Sequence, residues 1–211
     1  QFQLCDDPQL ALLLDIAVLC NNASLESASE AGSGDPMELA LLRAGLRFGV
    51  KRSALLRSNP SVRKHAFDAS TKMMATVHRR DDIFFFAVKG APEAVLAASG
   101  RVISDGDNKV MDLDTRAGWL ARVEQLGHHG LRVLAFATKI SGQPNAAPYE
   151  GLTFVGLVGL EDPARADVPH AIQDCQRAGI RVVMITGDHA VTARSIARAV
   201  GLGQTAANVV E

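Results

Sequence analysis

The chain is predicted to be an α/β protein, on two observations. Between residues 74 and 111 short apolar runs alternate with compact polar turns, as antiparallel hairpins do, with helical periods on either side. After Glu161 the texture changes to alternating helix and strand, as in a parallel sheet covered on both faces. The expected architecture is an antiparallel sheet flanked by helices, followed by the opening of a parallel α/β domain. Pro163, beside the acidic pair Glu161-Asp162, suits a boundary between domains 1–161 and 162–211.

Each element follows from local chemistry. Residues 9–20 are a strongly apolar helix. Asn21 to Gly34 is rich in Ser and Gly and is expected to be a mobile linker. Asp35 can cap the next helix, Pro36 fits its first turn, and Glu38 completes a capping box. That helix runs through Leu39, Leu42 and Leu46 to about Phe48, and a short helical piece near Ser53–Arg57 ends before Pro60.

The period then changes. Met74–Arg79 and Ile83–Lys89 flank the turn Arg80-Asp81-Asp82, a hairpin. Arg101–Ser104 and Lys109–Met111 flank Asp105-Gly106-Asp107-Asn108, a second one. Residues 115–129 read as a helix closed by Gly130. Strands follow at Leu131–Lys139 and Leu152–Leu160, separated by the Gly-, Pro- and Asn-containing loop Ser141–Glu150. Ala166–Ala178 is a helix stopped by Gly179. Arg181–Ile185 is a short β-branched strand, with Thr186-Gly187-Asp188 at its carboxyl end. A last helix covers about Ala190–Val200.

With 211 residues and 47% apolar residues, a sizeable core is affordable. The net charge of −1 gives no support for nucleic-acid binding or an acidic membrane surface. No run approaches the roughly 18 apolar residues of a membrane span. Cys5, Cys20 and Cys175 are scattered, which argues against disulfides or zinc and for a reducing compartment. His128-His129 lies at a predicted helix end, where the dipole explains it. No metal site is expected.

Lys89-Gly90-Ala91-Pro92-Glu93 joins an apolar strand to a helix. Gly90 lets the backbone approach a ligand, Pro92 suits the first turn, and Lys89 stands beside the helix start, so the segment reads as an anion site. Phe67, five residues before Lys72, could stack on a base while the lysine reaches its phosphates. The plainer readings are a core Phe, a solvated Lys, a capping Glu38, an exposed strand residue at Arg132, and a helix cap at Asp188.

Six segments occur in a fixed order: Gly34-Asp35-Pro36-Met37-Glu38, Phe67 to Met74, Lys89 to Glu93, Gly130 to Ala135, Asp162-Pro163-Ala164-Arg165, and Met184 to Asp188. Together they resemble the large cytoplasmic loop of cation-transporting P-type ATPases of the calcium-pump type. The resemblance implies a nucleotide-binding domain followed by part of a haloacid dehalogenase-like phosphorylation domain. It implies that Phe67 stacks on adenine and that Glu38 bonds its amino group. Lys72, Lys89 and Gly90 would line the pocket, Met74 and Leu134 would be apolar walls, and Arg132 would reach the phosphates. Thr186, Gly187 and Asp188 would approach the transferred phosphate and its magnesium, and Asp162 and Pro163 would form the hinge. ATP and Mg2+ are the implied cofactors, and the phosphorylation, actuator and membrane domains of a pump the implied partners. The pump would be an integral membrane protein with this part on its cytoplasmic face.

Two departures stand out. Ala69 replaces a residue that is often polar or basic. The chain also contains neither the phosphorylated Asp-Lys-Thr-Gly-Thr nor Gly-Asp-Gly-x-Asn-Asp. These residues alone are therefore expected to bind ATP, as a soluble monomer, without turning it over. Residues 152–160, 166–178 and 181–185 also admit a single βαβ unit; the resemblance instead puts the first strand before the hinge. Two alternatives stay open: a haloacid dehalogenase-like soluble phosphatase, suggested by Thr186-Gly187-Asp188, and a non-catalytic nucleotide-binding module.

Overall fold

The computed structural model describes residues 7–27, 29–104, 106–161, 165, 167–186 and 190–202. By compactness these form two units, one of residues 1–118 with 134–158 and one of residues 119–133 with 159–211.

The first unit holds most of a seven-stranded sheet. In chain order the strands are β1 (Ser61–Asp68), β2 (Met73–Arg80), β3 (Ile83–Gly90), β4 (Ser99–Ser104), β5 (Asp107–Val110), β6 (Arg132–Ser141) and β7 (Leu152–Leu160). Their spatial order is β1-β2-β3-β6-β7-β4-β5. The β1–β2, β2–β3, β3–β6 and β4–β5 pairs are antiparallel. β4 pairs β7 in parallel, so the sheet is mixed rather than wholly antiparallel.

Both predicted hairpins form. Arg80 pairs Ile83 across a two-residue turn in which Asp81 takes φ 52°, a left-handed conformation Asp tolerates better than most residues. β1 escaped the sequence reading. Its side chains are exposed except His65, so it carries no buried alternation to read.

Among the described residues three helices lie before β1. α1 (Pro8–Leu19) is capped by Asp7, whose Oδ1 accepts from the Gln9 and Leu10 amides at 3.0 Å each. It buries Leu14, Ile16, Ala17, Val18 and Leu19. α2 (Pro36–Arg47) is capped by Asp35, which accepts from Met37 N at 2.9 Å and Glu38 N at 3.2 Å. α3 (Arg52–Ser58) is the short third piece. Val18, Ala23, Leu25, Leu39 and Leu42 form a joint core, with Leu46, Val50 and Leu55 packed on it.

The segment expected to be a mobile linker is instead tied. Ser24 and Ser33 exchange backbone bonds of 2.8 and 2.9 Å. Asn21, Ala23 and Leu25 are buried, because Ala23 and Leu25 serve the α1–α2 core. The capping box is also only half made. Asp35 caps, but the Glu38 carboxylate is engaged by Lys89 and Asn22.

α4 (Pro92–Ala98) follows β3, and α5 (Leu113–His128) follows β5. α5 closes at Gly130, φ 78°, with Leu131 N returning to Leu126 O at 3.2 Å.

The second unit holds α6 (Val168–Arg177) and α7 (Ala190–Ala199). Gly179, at φ 73°, ends α6 as expected, with Ile180 N bonded to Cys175 O at 2.9 Å. The strand expected at Arg181–Ile185 does not form: these residues have no regular structure, and Val183 and Ile185 are 67% and 94% exposed. A strand needs a partner edge. β7 already has β6 on one side and β4 on the other, so it leaves no edge for a βαβ unit with residues 181–185.

Candidate functional site

Antiparallel pairing collects the sequence-predicted residues at one end of the sheet. β1 ends there at Phe67 and Asp68, and β2 starts there at Met73 and Met74. β3 ends there at Lys89 and Gly90, and β6 passes through Leu134 and Ala135. The register makes this concrete. Asp68 faces Met73, Met73 faces Gly90, and Gly90 faces Ala135. One strand position along, Met74 faces Lys89, which faces Phe136.

Lys89 is 8% exposed and places its Nζ 2.6 Å from Glu38 Oε1. The second Glu38 oxygen accepts from the backbone N–H of Asn22 at 3.0 Å. Asn21 ties the same turn of α2 to α1: its Nδ2 donates to Glu38 O at 2.9 Å and to Ala17 O at 3.4 Å. A buried cation is tolerable here because it has an ionised partner that is itself hydrogen-bonded. Lys89 is thus directed at Glu38, not at the start of α4, and α4 has only seven residues. Glu38 keeps lone pairs for one further donor.

The glycine of the anion-site motif also has a different neighbour than expected. A Cβ on Gly90 would lie 2.4 Å from Lys72 O, 2.8 Å from Met73 Cγ and 3.0 Å from Met73 Cα. What approaches Gly90 is the chain's own β1–β2 turn. The same carbonyl accepts from Ala91 N at 3.0 Å.

That turn is rigidly built. Asp68 Oδ1 accepts from Ser70 N at 2.7 Å, Ser70 Oγ at 2.5 Å and Thr71 N at 3.3 Å. The bonds from Ser70 and Thr71 hold the Asp68 carboxyl below the usual carboxylate range. Lys72 N closes the turn onto Asp68 O at 2.7 Å, and Lys72 sits at φ 55°. Phe67, immediately before the turn, is 63% exposed. Lys72 Nζ reaches Glu93 Oε1 at 3.0 Å.

Met74 lies inside the core at 1% exposure, with Asn22 Nδ2 3.7 Å from its sulfur. Leu134 is half-buried. Arg132 begins β6 and is exposed, and Thr186 is exposed in the second unit. Gly187, Asp188, Asp162 and Pro163 lie outside the described residues. Among the described residues no cluster of three metal-ligating side chains occurs. No described helix is long and apolar enough to cross a membrane.

The sheet end therefore presents an exposed aromatic ring, an exposed lysine on a fixed turn, and a carboxylate with acceptor capacity held by a buried lysine. An aromatic face stacks on a flat base, lysines attract phosphate, and a carboxylate accepts from an exocyclic amine. Sequence reading missed Asn22 and gave Asp68 and Glu93, though inside its motifs, no role of their own. The Asp-x-Ser-Thr spacing of an Asx turn could have found Asp68. Asn22 and Glu93 act through tertiary contacts that leave no local signal.

Residues 9–167 match the family described as P-type ATPase, cytoplasmic domain N. The chain is 38% identical over 196 residues to "Calcium-transporting ATPase 1" of Bacillus cereus, covering 92% of this chain and 22% of that protein. It is 34% identical to "Calcium-transporting ATPase" of Bacillus subtilis, covering 90% of this chain and 22% of that protein. It is 32% identical to "Sodium/potassium-transporting ATPase subunit alpha" of Drosophila melanogaster, covering 92% of this chain and 21% of that protein. The chain thus spans about a fifth of the length of these curated relatives.

Proposed function

The chain belongs to the P-type ATPase cytoplasmic N-domain family, and from that premise we propose that it binds ATP for an ion pump. The pump would couple ATP hydrolysis, through an aspartyl phosphate formed elsewhere in the protein, to cation transport across a membrane. Calcium is the favoured cation on the 38% identity to the Bacillus cereus calcium-transporting enzyme alone, since the Bacillus subtilis one, at 34%, falls within the 32–35% of the sodium/potassium relatives. The remaining domains of the pump are the partners this reading requires.

The observation that carries the reading is the exposed Phe67 ring, set before a turn that fixes Lys72 at the same sheet end as Glu38 and Lys89. Phe67 stacks on adenine. Glu38 accepts from the adenine amino group with the capacity left by Lys89 and Asn22. Lys72 meets the phosphates, and the family resemblance gives Arg132 the same role. Gly90 seats the Lys72 turn, and Leu134 and the buried Met74 back the pocket. Magnesium, bound with the phosphates, supplies charge neutralisation for the transfer. The family resemblance assigns Thr186, Gly187 and Asp188 to that step and Asp162-Pro163 to the hinge of the pump.

The test is an NMR titration with ATP, with and without Mg2+. Shifts at Phe67, Lys72 and Lys89 are expected in both conditions, because base stacking and Lys72 anchor the ligand without the metal and Lys89 is bonded to the Glu38 carboxylate that takes the adenine amine. Phe67→Ala should keep a dispersed spectrum and lose about 1–3 kcal/mol of binding. Silence at all three residues, or unchanged affinity in the variant, would refute the assignment.

A further inference from the structure

The two lysines of the sheet end are held in opposite ways. Lys89 and Glu38 are 9% and 12% exposed in their side chains and bonded at 2.6 Å. Lys72 and Glu93 are 56% and 57% exposed and bonded at 3.0 Å. The first pair is locked by burial. The second is a surface pair that exchanges partners at little cost.

The Lys72 backbone, by contrast, does not move freely. Its N–H donates to Asp68 O at 2.7 Å, its carbonyl accepts from Ala91 N at 3.0 Å, and Gly90 packs against that carbonyl. The origin of the side chain is therefore set before any ligand arrives, while its ammonium rests on a carboxylate in the first turn of α4.

We propose that Glu93 is an internal competitor for Lys72: it holds the ammonium until the phosphate of a nucleotide displaces it, and so sets the affinity for the phosphate portion of the ligand. This rests on the nucleotide-site reading of Phe67 and Lys72. A polyphosphate carries more charge and more acceptor oxygens than one carboxylate, so the exchange favours the ligand.

The experiment is a titration of ATP and of adenosine into the wild-type chain, Glu93→Gln, Lys72→Gln and the double variant. Glu93→Gln should bind ATP about two- to fivefold tighter, the scale of an exposed ion pair. Adenosine affinity should not change. On the Lys72→Gln background, Glu93→Gln should alter nothing, which separates the Lys72 contact from any other effect of Glu93. Glu93→Asp, one methylene shorter, should give a smaller gain and serves as the second variant. An unchanged or weaker ATP affinity in Glu93→Gln overturns the proposal. So does an equal gain for adenosine, or a gain that survives in the double variant. A wild-type chain that binds neither ATP nor adenosine overturns the site reading and this proposal with it. Wild-type binding with no Glu93 effect overturns the proposal alone.

Discussion

His78 is 1% exposed and lies between two oxygens: its Nδ1 is 3.0 Å from Asn59 O and its Nε2 2.8 Å from Thr76 Oγ1. A carbonyl only accepts, so Nδ1 carries the proton; the single Thr76 hydroxyl proton has Nε2 at 2.8 Å and Leu19 O at 3.3 Å, and the nearer Nε2 of the neutral ring accepts it. Burial pushes the imidazole below its ordinary 6.5; the Asn59 bond works against this, while Arg80 and Arg52 add to it. The folded state therefore keeps His78 neutral where the unfolded chain would protonate it. The stabilisation is complete above about pH 6.5 and is lost as pH falls toward the lower folded value. Chemical denaturation from pH 7.5 to 5.5 should show falling stability. His78→Gln should be less stable at pH 7.5 and show a flatter profile over that range. His65, also lowered by burial and by Arg63, contributes a residual slope of the same sign.

At the scale of elements, the β2–β3 hairpin and the β1–β2 turn meet at Gly90. Gly90→Ala puts a methyl 2.4 Å from the Lys72 carbonyl, a backbone atom that cannot swing aside. We expect a loss of about 1–3 kcal/mol in urea unfolding, together with weakened ATP binding because the Lys72 turn must shift. The elements themselves were largely legible. Both hairpins, α1 to α4, and the glycines that end α5 and α6 announce themselves through period and turn chemistry. β1 did not, because an exposed edge strand such as Ser61–Asp68 has no apolar face. Residues 181–185 misled for the opposite reason: their β-branched run has strand propensity, but propensity needs an edge to pair with. In the candidate site, motif order singles out Phe67, Lys72 and Lys89, and strand pairing brings them to one sheet end. The partners of the lysines were not legible in that order, since Glu38 lies 51 residues from Lys89 and Glu93 lies 21 from Lys72.

For the whole molecule, burial predicts uneven protection. Val77, Phe86, Val88 and Phe136 are fully buried in β2, β3 and β6. Among the described residues of α6 and α7 only Ile172, Ala193 and Ala197 are buried, at 5–9% exposure. Hydrogen exchange should therefore open α6 and α7 at least roughly tenfold faster than β2 and β3. Equal protection would show that the second unit draws its stability from something other than its own core. The strand order has a consequence for how the chain is made. β1, β2 and β3 can zip together as they emerge, and so can β4 with β5. Yet the two sets sit on opposite sides of β6 and β7, which are synthesised last. Until those two strands slide in, the nascent protein leaves open two edges that the finished sheet closes, on β3 and β4. The interval between translating Val110 and Leu160 is then the window in which this sheet is most exposed to mispairing.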